Sequence, residues 1–206
     1  VSLVVVFDYG SGNLHSVVKA LETSGASVTV SSQRQQAIDA DGLVVPGVGA
    51  FSACMDQLRS AGGDDIIRTR VNNQAPLLGI CVGHQVLFST GVEHGTTCPG
   101  VGVYPGVVEK LPTSRLPHMG WNEVSGDLHS TFFPDTHRYY FVHSYGALSN
   151  EDIPDNALGL WCHHGGVPFL AAVEYGPVLS TQFHPEKSGE AGLDLLRTWV
   201  KSLEKS

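Results

Sequence analysis

Three short apolar runs restrict this chain to few folds, because each ends in a glycine-bearing loop or turn that apolar residues at helical spacing follow. Leu3–Phe7 leads into Asp8-Tyr9-Gly10-Ser11-Gly12-Asn13, after which Leu14, Val17, Val18 and Leu21 mark a helix that Gly25 stops. Residues 27–30 read as a second strand. Residues 43–45 read as a third and lead into Pro46-Gly47-Val48-Gly49-Ala50-Phe51, then a helix to about residue 61 and another over about 64–72. Residues 77–80 read as a fourth. Apolar strands alternating with helices imply a parallel sheet covered on both faces. Ligands of such sheets sit at the carboxyl ends of the strands. The loops 8–13 and 46–51 and the turn after residue 80 therefore qualify together as a site.

That turn carries a sulfur. Cys81 stands between the strand 77–80 and the positions Val82, Val86 and Leu87, which recur at helical spacing. Gly79 precedes it by two residues and Gly83 follows by two. A sharp strand-to-helix turn with a nucleophile at its apex needs small neighbours at those offsets, as in G-x-S-x-G with sulfur replacing oxygen. A cysteine at a helix start also meets free N–H groups and the positive end of the helix dipole, which favour the thiolate. A buried structural cysteine would account for the same residues, and this stretch alone leaves both readings open.

From about residue 100 to 179 the pattern changes. Runs at 101–110, 119–124, 139–145, 158–163 and 169–174 read as strands separated by Pro, Gly and Asn. Neither linker composition nor a repeat interrupts the chain, so residues 1–206 are expected to form one domain with a β-rich excursion. A strand over 178–183 and a helix over Gly189–Leu203 close it. Leu193, Leu196, Val200 and Leu203 are the apolar face of that helix, and Arg197, Lys201 and Lys205 sit toward its C-terminal end, as the dipole prefers.

Composition excludes some classes of function. With Lys plus Arg at 12 and Asp plus Glu at 20, the formal charge is 12 − 20 = −8, which argues against a nucleic-acid binder. The longest apolar runs are too short to span a bilayer, and no signal peptide is expected, since Leu3–Phe7 leads straight into Asp8 without a basic flank or cleavage site. Cys54, Cys81, Cys98 and Cys162 form no C-x-x-C pair and no zinc spacing, so a reducing cytoplasm is expected. His163 and His164 are adjacent; on a strand they point to opposite faces and cannot share one metal ion.

A nucleophilic thiol needs a base, and the base needs a group to orient it. Gln182-Phe183-His184-Pro185-Glu186 ends the last strand. His184 and Glu186, two apart in an extended segment, point the same way. On its own His184 reads as a turn histidine; joined to the elbow it completes a Cys81–His184–Glu186 set. The Val82 N–H, next to the nucleophile, is one candidate oxyanion donor, and the backbone at Val48 and Gly49 can turn another toward the site, although an ordinary glycine turn between strand and helix would account for the same residues.

These motifs carry a resemblance. G-x-C-x-G-x-Q at residues 79–85 with His184-x-Glu186 resembles the class I (triad) glutamine amidotransferases. Pro46-Gly47-Val48-Gly49-Ala50-Phe51, Met119-Gly120-Trp121-Asn122 and Tyr140-Phe141-Val142-His143-Ser144-Tyr145 narrow it to the family of glutaminase subunits of imidazole glycerol phosphate synthases. The resemblance spans Asp8 to Glu186. It implies an α/β fold with a doubly wound, mostly parallel, flavodoxin-like sheet. It implies that Cys81 attacks the glutamine amide, that His184 shuttles protons and that Glu186 orients His184. Gly47, Gln85, Ser144 and Tyr145 would hold glutamine. Ammonia would pass to a cyclase partner, a (β/α)8 barrel forming a heterodimer, and be built there into imidazole glycerol phosphate with release of an aminoimidazole carboxamide ribotide. Asp8, Asn13, Trp121, Asn122, Tyr140 and Lys187 would face that partner. No metal, cofactor, nucleic acid or membrane is implied. His84, where many members carry Met, and Gly146, where a bulkier residue is common, depart from the pattern.

Three other readings share the fold. An amidotransferase subunit of another pathway would usually carry a different glycine loop. A stand-alone cysteine γ-glutamyl hydrolase or peptidase needs the triad but no partner face. A regulatory subunit with a dead site is disfavoured by the complete Cys-His-Glu set.

Overall fold

In a computed structural model, which describes residues 1–12 and 14–204, the apolar runs form the centre of a seven-stranded sheet. Asn13 and Lys205 lie outside the described residues. Strands β1 (Leu3–Phe7), β2 (Ser27–Ser31), β3 (Gly42–Gly47) and β4 (Leu77–Cys81) alternate with helices α1 (His15–Thr23), α2 (Arg34–Asp39), α3 (Phe51–Ser60) and α4 (Gly63–Asn72). The turn after β4 is α5 (Val82–Gln85). The excursion contains β5 (Phe88–Glu93), β6 (Thr96–Pro99), β7 (Tyr104–Lys110), β8 (His118–Val124), β9 (His137–His143), β10 (Tyr145–Gly146) and β11 (Leu158–His164). The chain closes with β12 (Val167–Tyr175), β13 (Val178–Thr181) and α6 (Gly189–Leu203). Among the described residues no helix is long and apolar enough to cross a membrane.

The sheet order is β11-β12-β13-β4-β3-β1-β2. Pairing is parallel from β13 through β4, β3 and β1 to β2, and antiparallel at β11-β12-β13. The chain winds from β1 outward to β2 and then back past β1 to β3, so right-handed crossovers put α1 and α2 on opposite faces. The contacts agree: α1 packs with α6, whereas α2 and α3 pack with α4. Val4–Phe7, Leu43–Val45 and Leu77–Ile80 are buried between the two layers, which is why they lack the alternation of a half-exposed strand.

Register levels the strand ends that matter. Gly47 pairs with Cys81, and Thr181 pairs with Ile80. The loop after β3, the turn after β4 and the segment after β13 therefore leave the sheet side by side.

Several elements differ from the sequence reading. The helix expected to continue through Val86 and Leu87 is a single turn. The carbonyls of Val86, Leu87, Phe88 and Ser89 accept N–H groups from residues 100–104, which diverts the chain into β5. The β-rich part thus begins at Phe88, not near residue 100, and Val101 and Gly102 donate to the Val86 and Phe88 carbonyls instead of starting β7, which begins at Tyr104. β5 and β6 join β7 and β10 in a four-stranded sheet, and β8 pairs with β9 as a separate ribbon. α2 escaped notice because only Ala37 of its six residues is buried. On α6 the buried face includes Leu195 and Trp199, while Leu193 lies half-buried at its margin.

Candidate active site

The elbow is a strained turn held in place by close packing. Cys81 has φ 56° and ψ −112°, a conformation that costs a residue bearing a Cβ about 1–3 kcal/mol. A Cβ on Gly79 would stand 2.7 Å from the Gly83 carbonyl oxygen, and one on Gly47 would stand 2.6 Å from the Gly83 nitrogen. Glycine at these places is a steric requirement, and Gly47 supports the elbow from below. The helix that follows is only four residues long, so its dipole is smaller than a full helix would supply.

His184 reaches Cys81 from β13. Its backbone N–H donates to the Tyr140 carbonyl at 2.9 Å, which ties this segment to the β8–β9 ribbon. Its Nδ1 lies 2.7 Å from the Glu186 Oε1, and both side chains are buried. Glu186 is set in a 3-10 turn, Pro185–Lys187. Among the described residues its Oε2 has no hydrogen-bond partner. Burial opposes a charge on His184, but its bonds to Cys81 and Glu186 and the charges of both groups outweigh burial and raise its pKa to about 10. Those two neighbours favour the protonated imidazole of His184.

A cavity of about 190 Å³ opens above Cys81. Of the expected residues, Val48, Gly49, Val82, Gln85, Ser144, Tyr145, His184 and Lys187 line it with the nucleophile. Gly47 and Glu186 do not; Gly47 packs beneath the elbow and Glu186 stands behind His184. The walls also include Glu93, Val142 and His143, which sequence reasoning missed. Glu93 accepts the Phe51 N–H at 2.9 Å and so caps α3 while facing the cavity. It was missed because its strand was missed. A larger hollow of about 560 Å³ lies at the other edge of the sheet, near Pro76 and Val178, and no cysteine lines it.

Two amides form the floor. The Gln85 Nε2 donates to the Tyr145 carbonyl at 3.0 Å and to the Gln182 Oε1 at 2.9 Å. The Gln182 Nε2 points to the Cys81 sulfur at 4.0 Å. Gln182 stands two before His184, and the same alternation that aligned His184 with Glu186 would have found it. Gly146 lies beneath this floor, where a Cβ would make ordinary contacts with Leu111, Phe169 and Gln182.

Of the two N–H groups expected to serve an oxyanion, that of Val48 is engaged elsewhere. It donates to the Ser11 Oγ at 3.2 Å, and the Val48 carbonyl accepts the Cys54 thiol at 3.1 Å. Gly49 has φ +89° with open space around it.

Of the residues expected to face a partner, Asp8 and Lys187 are exposed and Trp121 is 48% exposed. The Trp121 ring meets the half-buried Tyr140 edge to face at 6.1 Å. Asn122, expected beside them on a partner face, turns its amide inward: its Nδ2 donates to the His163 carbonyl at 2.8 Å and lies 3.2 Å from the His118 Nε2. His84 points into the core. Its Nδ1 lies 2.8 Å from the Ser180 Oγ, its Nε2 has no partner among the described residues, and burial pushes its pKa down to about 3. His163 is exposed, while His164 stacks on His118 with ring centroids 4.0 Å apart.

The family model for glutamine amidotransferase class-I matches residues 5–202. An imidazole glycerol phosphate synthase subunit HisH from Leifsonia xyli is 52% identical over 207 residues, covering 97% of this chain and 98% of the relative. The protein of the same description from Mycolicibacterium paratuberculosis is 54% identical over 204 residues, with 97% and 98% covered. Among solved structures, a crystal structure of a glutamine amidotransferase superposes with a TM-score of 0.75 at 21% identity, covering 97% of this chain and 98% of that one, a likeness of fold.

Proposed function

The chain belongs to the class-I glutamine amidotransferases and, within them, to the HisH subunits of imidazole glycerol phosphate synthase, and from that premise we propose how Cys81, His184 and Glu186 divide the work. It is the glutaminase subunit of an enzyme of histidine biosynthesis. The Cys81 sulfur attacks the side-chain amide carbon of glutamine. His184, already protonated, gives its proton to the amide nitrogen as the C–N bond breaks and ammonia leaves. The neutral imidazole then takes a proton from water, whose oxygen attacks the thioester. The C–S bond breaks, glutamate leaves, and the sulfur and imidazolium are restored together. Glu186 keeps the Nδ1 proton in place and the ring aimed at sulfur.

What supports this reading is the placing of His184 with Cys81 in one cavity, its Nδ1 2.7 Å from the buried Glu186 Oε1, an arrangement that raises its pKa. It supplies the general acid for a poor leaving group directly beside the attacking sulfur. The cavity suits the substrate. The Glu93 carboxylate fits the α-ammonium of glutamine, and Lys187 at the rim fits its α-carboxylate.

Ammonia passes to a cyclase subunit of (β/α)8-barrel type, which uses it to form imidazole glycerol phosphate. Asp8, Trp121, Tyr140 and Lys187 face that subunit in a heterodimer. What supports this is their position at the carboxyl edge of the sheet and the exposure of the Trp121 ring beside Met119, itself 62% exposed. Asn122 contributes through its inward bonds.

The test is glutamate release by wild type and Cys81→Ala, with and without the cyclase subunit. Activity that needs Cys81 and rises with the cyclase supports the reading. Full activity of the chain alone would instead make it a stand-alone hydrolase, and activity surviving Cys81→Ala would remove the nucleophile.

A further inference from the structure

Beside the glutamine cavity lies a buried line of imidazoles that the hydrolytic steps do not use. His118 on β8 and His143 at the end of β9 are paired residues of the ribbon, and both are buried. The His118 Nδ1 lies 2.9 Å from the His143 Nε2, and the His143 Nδ1 lies 2.8 Å from the Tyr145 carbonyl.

The direction of every bond in this line is fixed by its ends. The Tyr145 carbonyl can only accept, so the His143 Nδ1 carries hydrogen. At the far end, the Asn122 Oδ1 accepts the Glu123 N–H at 2.8 Å while its Nδ2 donates to the His163 carbonyl. The Asn122 amide is thereby oriented, and its Nδ2 donates to the His118 Nε2. His118 then carries hydrogen on Nδ1 and donates to His143. Neutral rings are required, and burial supplies that condition: it lowers the pKa of His118 to about 3 and that of His143 to about 4. The donors run one way, from Asn122 through His118 and His143 to the Tyr145 carbonyl.

That carbonyl is also where the Gln85 Nε2 ends. Gln85 gives its second N–H to the Gln182 Oε1. With both donors held inside, its Oε1 is the atom left for a ligand. We propose that His118 and His143 are positioning residues for the substrate: the line Asn122–His118–His143 fixes the Tyr145 main chain and with it Gln85, so that the cavity meets glutamine with an acceptor oxygen on a rigid floor. This rests on reading the cavity as the glutamine site. Neither imidazole passes a proton in the reaction. The expected signature is weakened recognition of glutamine with an undiminished nucleophile.

Two alkylating agents separate those effects on the full chain. A diazoketone analogue of L-glutamine must occupy the cavity before it reacts with Cys81, whereas iodoacetamide needs only the thiolate. His118→Leu removes the donor to His143. His118→Asn retains one, because an asparagine amide nitrogen occupies nearly the place of a histidine Nδ1. Loss of one such buried bond is worth roughly five- to tenfold. The analogue should alkylate His118→Leu about five- to tenfold more slowly than wild type, iodoacetamide should react within about twofold, and His118→Asn should match wild type with both. Should His118→Leu fail to fold, His143→Gln against His143→Asn asks the same question, since only the asparagine places its nitrogen toward Tyr145. Equal slowing with both reagents, no slowing, or an asparagine variant no better than its partner overturns the proposal. Wild type showing no preference for the L-analogue over its D-enantiomer would instead remove the glutamine reading on which the proposal stands.

Discussion

The Val48 N–H donates to the Ser11 hydroxyl at 3.2 Å instead of into the cavity beside Cys81. On the proposal that the Val48 N–H is an oxyanion donor, that donor is withheld here, and a missing donor typically costs about 10²–10³ in rate. Release requires that the Val48 peptide rotate, and Gly49, at φ +89°, is the joint. Ser11→Ala removes the bond that holds the idle orientation, so the isolated chain should hydrolyse glutamine about two- to tenfold faster, the range of one neutral hydrogen bond. Gly49→Ala strains the idle conformation without a clash and should shift activity the same way. Gly47→Ala is unsuitable for this purpose, since its Cβ would push on the elbow itself. Basal rates of Ser11→Ala and Gly49→Ala equal to or below wild type would show that this loop is not the brake.

Legibility in the sequence followed the strength of the local physical constraint. The fully apolar runs at 3–7 and 77–80 had no alternative to buried parallel strands, and the glycines around Cys81 and Val48 announced tight backbone. Gln182, His184 and Glu186 were within reach of a two-residue period. What escaped depended on distant partners. β5 is set by carbonyl bonds to residues 100–104, and Glu93 fell with it. The pairing of His118 with His143 spans two strands whose register no local pattern fixes. Asn122 looked like an exposed polar residue because the acceptor that turns it inward, the His163 carbonyl, is 41 positions away.

Strain at the nucleophile is testable apart from activity. Cys81 holds a positive φ with ψ near −112°, a region glycine enters freely. Alanine keeps the strain and glycine relieves it. Cys81→Gly should therefore unfold at higher denaturant than Cys81→Ala, by about 1 kcal/mol after the entropic cost of glycine. Both variants lack the thiol, so the comparison reads the backbone alone. A more stable alanine variant would mean that the elbow is not strained.

The His184 pair has a pH signature. The imidazole pKa is raised from 6.5 to about 10 in the folded chain. A raised value stabilises the fold fully below about 6.5 and loses that contribution as pH climbs through about 10. The stability difference between wild type and His184→Ala should therefore narrow between pH 6.5 and 10. The basic limb of the glutaminase profile should lie near the upper end of that window. Glu186→Gln removes a bond and a charge that hold the proton, so its basic limb should move to lower pH while it retains more activity than His184→Ala. A basic limb at the same pH in wild type and Glu186→Gln would contradict the ion-pair account.

His84 makes the opposite prediction. It is buried and neutral, with its Nε2 unpartnered among the described residues and its pKa pushed from 6.5 down to about 3 by burial. Between those values the unfolded chain binds a proton that the folded chain does not, so stability falls as pH drops from about 6.5 toward 3. Replacing His84 with Met removes that term. It loses the bond to the Ser180 hydroxyl, but Ser180 keeps the Tyr104 hydroxyl at 2.9 Å, and an unsatisfied buried nitrogen disappears with the ring. His84→Met should therefore match wild type within about 1 kcal/mol at pH 7 and surpass it at pH 4.5 in denaturant titrations. The side chain points away from the cavity, so the glutaminase rate at pH 7 should not change. Acid sensitivity equal to wild type would mean that the folded chain already tolerates a charge at His84, and a large loss of glutaminase activity would mean that the ring supports the elbow from within the core.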